Sequence, residues 1–234
     1  MILEALIQNW VPQYAKVIDL GCGDGTLLES LHQLKSINPY GVEIDQKKIL
    51  SCLSKNIPVI QADIDESIRD FEGLDFDIAI LASSIQCLRH PDKALSNILS
   101  IAKKCIVTVP NFAHWQCRLQ LSQGKMPVTN DLPAPWYATD NIHLCTIKDF
   151  EMLCIKLGLQ IDQKKYLKIL IASSNSGKID EFKSILKDFE VIPQKHLNIE
   201  DVEETGTTFS ENALLKANNG FLNSGLPSIG DDSG

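Results

Sequence analysis

The stretch Val17-Ile-Asp-Leu-Gly21-Cys-Gly23-Asp-Gly25-Thr-Leu27 decides the fold of the larger part of this chain. Lys16-Val-Ile-Asp-Leu20 has the apolar, β-branched make-up of a strand, and glycine then recurs at 21, 23 and 25. From Thr26 to Lys35, Leu27, Leu28, Leu31 and Leu34 fall at helical spacing. Strand, glycine turn and helix follow in that order. Side chains would keep a ligand off the turn's main chain, and Gly21 and Gly23 let one approach. The helix after Gly25 points free N–H groups and the positive end of its dipole the same way.

The alternation continues outward. Tyr40–Ile44 reads as a second strand, Gln46–Lys55 as a helix, Val59–Ala62 as a third strand and Phe76–Leu81 as a fourth. Helical spacing runs through Ala94–Ala102, and Cys105–Val109 is a fifth strand. Strand and helix in turn mean parallel pairing with right-handed crossovers, so the expected class is α/β with a doubly wound, Rossmann-like sheet. A seam falls at 162–168. All seven cysteines precede residue 155 and all three tryptophans precede residue 137. After the seam the style repeats: strand Ile169–Ala172, helix Ile179–Leu186, strand Glu190–Ile192, then a helix from Thr208 to Asn223 stopped by Gly225 and Pro227. Two domains are expected, 1–163 and 168–234.

Three acids frame the first loop. Asp19 sits at the end of the first strand, two residues before Gly21. It would repel a pyrophosphate and attract an ammonium. Glu43 ends the second strand, where a carboxylate can accept both hydroxyl hydrogens of a ribose. Asp63 ends the third strand and could accept from an adenine amino group, with Ile64 covering the ring. A dinucleotide fingerprint is Gly-x-Gly-x-x-Gly, whereas this loop is Gly-x-Gly-x-Gly. The pattern favours S-adenosyl-L-methionine over a dinucleotide. A glycine turn with no ligand is the third reading.

Composition excludes several functions. Net charge is −8, so the long-range field repels nucleic acid and anionic membrane. No apolar run approaches the roughly 20 residues of a membrane span. The start carries Glu4 and no basic region, unlike a signal peptide. The seven cysteines contain no Cys-x-x-Cys pair and sit mostly in apolar runs, as expected of reduced, buried thiols in a cytoplasmic protein.

In the second part, Ser173-Ser174-Asn175-Ser-Gly177-Lys178 joins a strand to a helix. Small residues and Gly177 admit a phosphate chain that Asn175 and Lys178 can hold. It lacks the Walker spacing, and a capped helix with an exposed lysine reads equally well.

Two resemblances sharpen these readings. Gly21–Leu28, Tyr40–Asp45 and Gln61–Asp65 resemble the class I S-adenosylmethionine-dependent methyltransferases and, more narrowly, the MetW family. Val109-Pro-Asn-Phe-Ala-His-Trp115, Met126-Pro-Val-Thr129 and Trp136–Ile147 agree, so that the similarity covers residues 1–163. The resemblance implies a role beside homoserine O-acyltransferase in methionine synthesis, with S-adenosyl-L-methionine on Asp19, Gly21, Gly23, Gly25, Glu43, Asp63 and Ile64. Methyl transfer and non-enzymatic sensing both remain open. His114 and His143 are candidate bases, although a lone histidine is more often a satisfied structural group.

Residues 168–234 resemble the N-terminal part of the RdgB-like inosine and xanthosine triphosphate pyrophosphatases. The resemblance implies a purine nucleoside triphosphate held by Ser173, Ser174, Asn175, Gly177, Lys178, Lys216 and Ser233. Glu204 and Asp232 would hold Mg2+, a cation that prefers hard oxygen ligands. Asp232 would also be the base that activates water. That family continues past this point, so no useful pyrophosphatase activity is expected of this chain as it stands. A longer, bifunctional product is the alternative.

Overall fold

The computed structural model describes residues 2–129, 131–164, 168–186 and 189–232. The chain divides into two compact units, Met1–Ile161 and Asp162–Gly234.

In the first unit the elements run α1 (Ile2–Trp10), β1 (Lys16–Leu20), α2 (Thr26–Lys35), β2 (Asn38–Glu43), α3 (Gln46–Ser54), β3 (Val59–Gln61) and α4 (Ile64–Ser67). Then come β4 (Phe76–Ala82), α5 (Pro91–Ile101), β5 (Ala102–Thr108), α6 (Trp115–Ser122) and α7 (Ile147–Lys156). The strands form one sheet in the order β3-β2-β1-β4-β5. Every pair is parallel, as the alternation implies. The chain winds outward from β1 through β2 to β3, then returns to β4 on the other side. Strand order therefore reverses between β1 and β4, which opens a crevice at their carboxyl ends.

Both faces of the sheet are buried, hence the unbroken apolar runs. Ile18 and Leu20 of β1 join Ala79 and Leu81 of β4 in one core, with Ile68, Phe71, Leu95 and Ile98. Val17 joins Ile78, Ile80 and Ile106 in the other, with Ile7, Leu28, Leu31 and Cys52. Asp19, only 2% exposed, interrupts β1 as a polar residue inside this packing.

Local chemistry moves some element ends from those the sequence suggests. β3 stops at Gln61 because Asp63 caps α4, its Oδ1 accepting the Asp65 N–H at 2.9 Å. The last long helix begins at Phe209, one residue late, because Thr208 and Glu211 form a capping box. α6 has apolar residues on no single side, so no periodic stripe announces it.

The second unit holds β6 (Lys168–Ala172), α8 (Ser176–Ile185), β7 (Glu190–Pro193), α9 (Phe209–Ser224) and β8 (Ser228–Gly230). These strands form a parallel sheet in the order β7-β6-β8. Leu170 and Ile171 of the central β6 are fully buried. Gly220 of α9 packs where a Cβ would lie 2.5 Å from Leu170 Cδ2, which brings helix and sheet close together.

Candidate functional site

The loop after β1 is pinned to β2. The N–H groups of Gly21 and Cys22 both donate to the Val42 carbonyl, at 2.8 and 3.0 Å. All three loop glycines hold positive φ, at 82°, 59° and 80°. They face different surroundings. A Cβ on Gly21 would lie 2.9 Å from Ser84 Cβ and 3.6 Å from Ile64 Cδ1. On Gly25 it would lie 3.0 Å from Cys52 Sγ, so Gly25 admits α3 packing. On Gly23 it would meet nothing within 4 Å: this peptide is open.

Glu43, 6% exposed, turns inward to that open peptide. Its Oε2 accepts the Gly23 N–H at 2.9 Å, and its Oε1 accepts the N–H groups of Ile44 and Asp45 at 2.9 and 3.0 Å. Below the loop lies Asp19, whose Oδ1 is buried with no hydrogen-bond partner. Burial pushes its carboxyl up to about 7, and the charge of Glu43 adds to the shift. Asp63 is engaged on both oxygens, Oδ1 by the Asp65 N–H and Oδ2 by Arg89 Nη2 at 2.9 Å.

The β4 end completes the crevice. Ser84 Oγ donates to the Leu20 carbonyl at 2.8 Å, tying the two strand ends together. Gln86, 7% exposed, donates from Nε2 to the Ser83 carbonyl at 2.8 Å, which leaves its Oε1 buried and unpartnered. Asp19 Oδ1 and Gln86 Oε1 are the buried side-chain polar atoms without partners among the described residues. Both belong to the β1 and β4 side of the crevice, and buried groups of this kind normally find a partner. The Gln86 carbonyl accepts the N–H groups of Ile142 and His143, so segment 141–143 is tied to this turn. His143 Nε2 lies 3.4 Å from the Arg89 carbonyl. Sequence reading missed Ser84, Gln86 and Arg89, because no local pattern reports which residues after β4 turn toward the ends of the neighbouring strands.

The cysteines are free thiols. Cys22 and Cys52 are buried beside the loop with sulfurs 3.8 Å apart, and Cys52 Sγ donates to the Gly23 carbonyl at 3.3 Å. Burial pushes the Cys22 thiol up strongly, aided by the charge of Asp19.

In the second unit, Asn175 caps α8, its Oδ1 accepting the N–H groups of Gly177 and Lys178 at 2.9 and 3.4 Å. Ser173 Oγ accepts the Asn175 N–H at 3.2 Å. Ser174 Oγ donates to Asp201 at 2.7 Å, an acid not anticipated from the sequence, and Gln194 Nε2 also reaches Asp201. Lys178 pairs with Asp231 at 2.7 Å. Lys216 lies between Glu204 and Asp232, at 2.7 and 2.9 Å. Burial opposes the Lys216 charge, but hydrogen bonds to both carboxylates outweigh it and raise its pKa. The Lys216 hydrogen bond holds Asp232 below the usual carboxylate range. Ser233 lies outside the described residues. Among the described residues, no three His, Cys, Asp or Glu side chains converge as a metal site, and no helix is long and apolar enough to cross a membrane.

The family model described as "Methionine biosynthesis protein MetW" matches residues 4–186. The chain belongs to the MetW family. The Ham1 family model matches residues 169–234, so this MetW chain runs into a Ham1-like segment and the two matches overlap at 169–186. It is 28% identical over 173 residues to the bifunctional methionine biosynthesis protein MetXA/MetW of Rhodopirellula baltica, covering 70% of this chain and 28% of that one. It is 56% identical over 69 residues to the dITP/XTP pyrophosphatase of Haemophilus influenzae, covering 29% of this chain and 35% of that one. This MetW chain thus spans about a third of the length of the curated relatives it matches. Among solved structures, the magnesium protoporphyrin IX methyltransferase of Synechocystis with bound SAH superposes with a TM-score of 0.53 at 18% identity, over 69% of this chain and 74% of that one. That likeness shows the Rossmann-like methyltransferase fold.

Proposed function

We propose that residues 1–163 bind S-adenosyl-L-methionine and serve methionine biosynthesis beside homoserine O-acyltransferase. The observation that carries this reading is Asp19. A carboxylate oxygen buried without a partner, under a loop with an open peptide at Gly23, suits a cationic ligand that lies on main chain. The ligand's ammonium satisfies that oxygen. Glu43 keeps lone pairs beyond its backbone bonds, and these accept the ribose hydroxyls. Asp63 accepts from the adenine amino group while Ile64 covers the ring. Gly23 gives the approach; Gly21 contributes through its packing on Ser84 and Gly25 through its packing on α3. When bound, the sulfonium supplies an electrophilic methyl group.

The partner assignment is supported by the Rhodopirellula relative, whose name joins MetXA and MetW in one protein. Two outcomes separate a methyltransferase from a sensing subunit. Label from S-adenosyl-L-methionine appearing in a metabolite supports the first. Retention without transfer, together with acyltransferase activity that rises when the protein is added, supports the second. The decisive experiment is calorimetric titration of the whole chain with S-adenosyl-L-methionine. Saturable binding is expected, and its absence overturns the reading.

For residues 168–234 we propose a phosphate-binding role toward purine nucleoside triphosphates, supported by the 56% identity of this segment to a dITP/XTP pyrophosphatase. Glu204 and Asp232 would hold Mg2+. Two carboxylates completed by water and substrate phosphates are a usual Mg2+ donor set, so the residues fit. Lys216, which bridges the two acids here, would then turn to a phosphate. Asp232 would be the water-activating base where the domain is complete. Binding of dITP that strengthens with Mg2+ and weakens in Asp232→Asn is expected; equal binding in the variant removes the assignment.

A further inference from the structure

We infer that Arg89 is a positioning residue for the adenine end of the crevice, setting the Asp63 carboxylate so that it selects a 6-amino purine. The inference rests on the S-adenosyl-L-methionine reading. Arg89 follows the turn after β4, yet its side chain reaches back to the end of β3. Nη2 donates to Asp63 Oδ2 at 2.9 Å and to Glu66 Oε1 at 3.3 Å, and Nε donates to Asp65 Oδ2 at 3.4 Å. The backbone is held as well: Asp65 accepts the N–H groups of Arg89 and His90 at 2.9 and 3.0 Å, and its side chain is only 8% exposed.

A single exposed ion pair contributes little, but here one guanidinium meets three carboxylates and its own main chain is clamped. Asp63 therefore has one oxygen fixed by the α4 cap and the other by Arg89. What remains is a set of acceptor lone pairs in a defined direction. An acceptor-only group rewards an exocyclic amino group and gives nothing to a purine without one. Without Arg89 the second oxygen is free to rotate toward solvent, and discrimination at that purine position falls.

The test is a ligand-atom and residue cycle on the whole chain. S-adenosylhomocysteine and its 6-deamino analogue are titrated into the parent, Arg89→Ala and Arg89→Lys. In the parent, loss of the amino group is expected to weaken binding about tenfold or more, the scale of a hydrogen bond to a charged group. In Arg89→Ala the same change is expected to cost less than about threefold, with Arg89→Lys in between because it keeps the charge without the fork. An unchanged ratio in Arg89→Ala overturns the inference while leaving the cofactor reading intact. No binding of either ligand by the parent overturns both. Arg89→Gln serves if Arg89→Ala does not fold.

Discussion

Asp19 offers the sharpest test, because its burial ties stability and ligand binding to pH in opposite directions. Its carboxyl is pushed from 3.8 to about 7 in the folded chain. Three units correspond to about 4 kcal/mol of disfavoured ionisation, as an order of magnitude. Below pH 4 the group is protonated folded and unfolded, and it costs nothing. Between pH 4 and 7 the unfolded chain has released a proton that the folded chain keeps, so stability falls as pH rises. Above pH 7 the whole penalty is present. Asp19→Asn carries no such penalty. It is expected to unfold at higher urea than the parent at pH 8, by up to about 4 kcal/mol, with the gap closing toward pH 4. Tryptophan fluorescence reports this unit alone, since Trp10, Trp115 and Trp136 all lie in it. Ligand binding runs the other way. A cationic ligand needs Asp19 ionised, so parent affinity for S-adenosyl-L-methionine should rise about tenfold from pH 6 to pH 8, and Asp19→Asn should bind weakly at both. Affinity that is flat across this range, with Asn binding as well as Asp, would refute the assignment of Asp19 to a cation.

Other perturbations separate the roles of neighbouring residues. Gly23→Val should abolish S-adenosyl-L-methionine binding measured by calorimetry while circular dichroism still shows a folded chain, since its Cβ meets no protein atom within 4 Å. The φ of 59° adds a strain of about 1–2 kcal/mol. Glu43→Ala removes the acceptor of three backbone N–H groups, and affinity should fall by about 1.5–3 kcal/mol together with a lower melting temperature. Gly41→Ala should destabilise the first unit by about 1–3 kcal/mol, because its Cβ would lie 2.6 Å from Cys22 Sγ. Adding Cys22→Ala should recover most of that loss in urea unfolding; no recovery would mean the clash is elsewhere.

Much of the fold is legible before any coordinates. The apolar runs at 16–20, 76–81 and 105–109 announce β1, β4 and most of β5, but not the start of β5 at Ala102, where exposed Lys103 and Lys104 break the pattern. Parallel order follows from the alternation with helices. Less legible are elements whose reason is a long-range contact. α1 contributes Ile7 to a core assembled from residues up to 106. α4 exists because Asp63 caps it, and that carboxylate is simultaneously held by Arg89, 26 positions away.

The candidate site divides the same way. Asp19 and Glu43 can be picked out by position relative to the strands, but not the contrast between them: Glu43 is satisfied by three N–H groups, and Asp19 has an oxygen with none. The glycines are alike in sequence and unlike in function. Among the three loop glycines, Gly25 is required by Cys52 and Gly21 by Ser84, both partners from distant segments, and Gly23 alone faces open space. Gly41 belongs to the same group although it lies in a strand, because its missing side chain makes room for Cys22. A loop built this way is held on three sides by packing and left bare at one peptide. Packing therefore fixes the shape of the crevice before any ligand arrives, and the ligand's own contribution reduces to charge at Asp19 and hydrogen bonds at Glu43 and Asp63. Affinity should accordingly respond to pH and to those carboxylates far more than to small changes in the surrounding core.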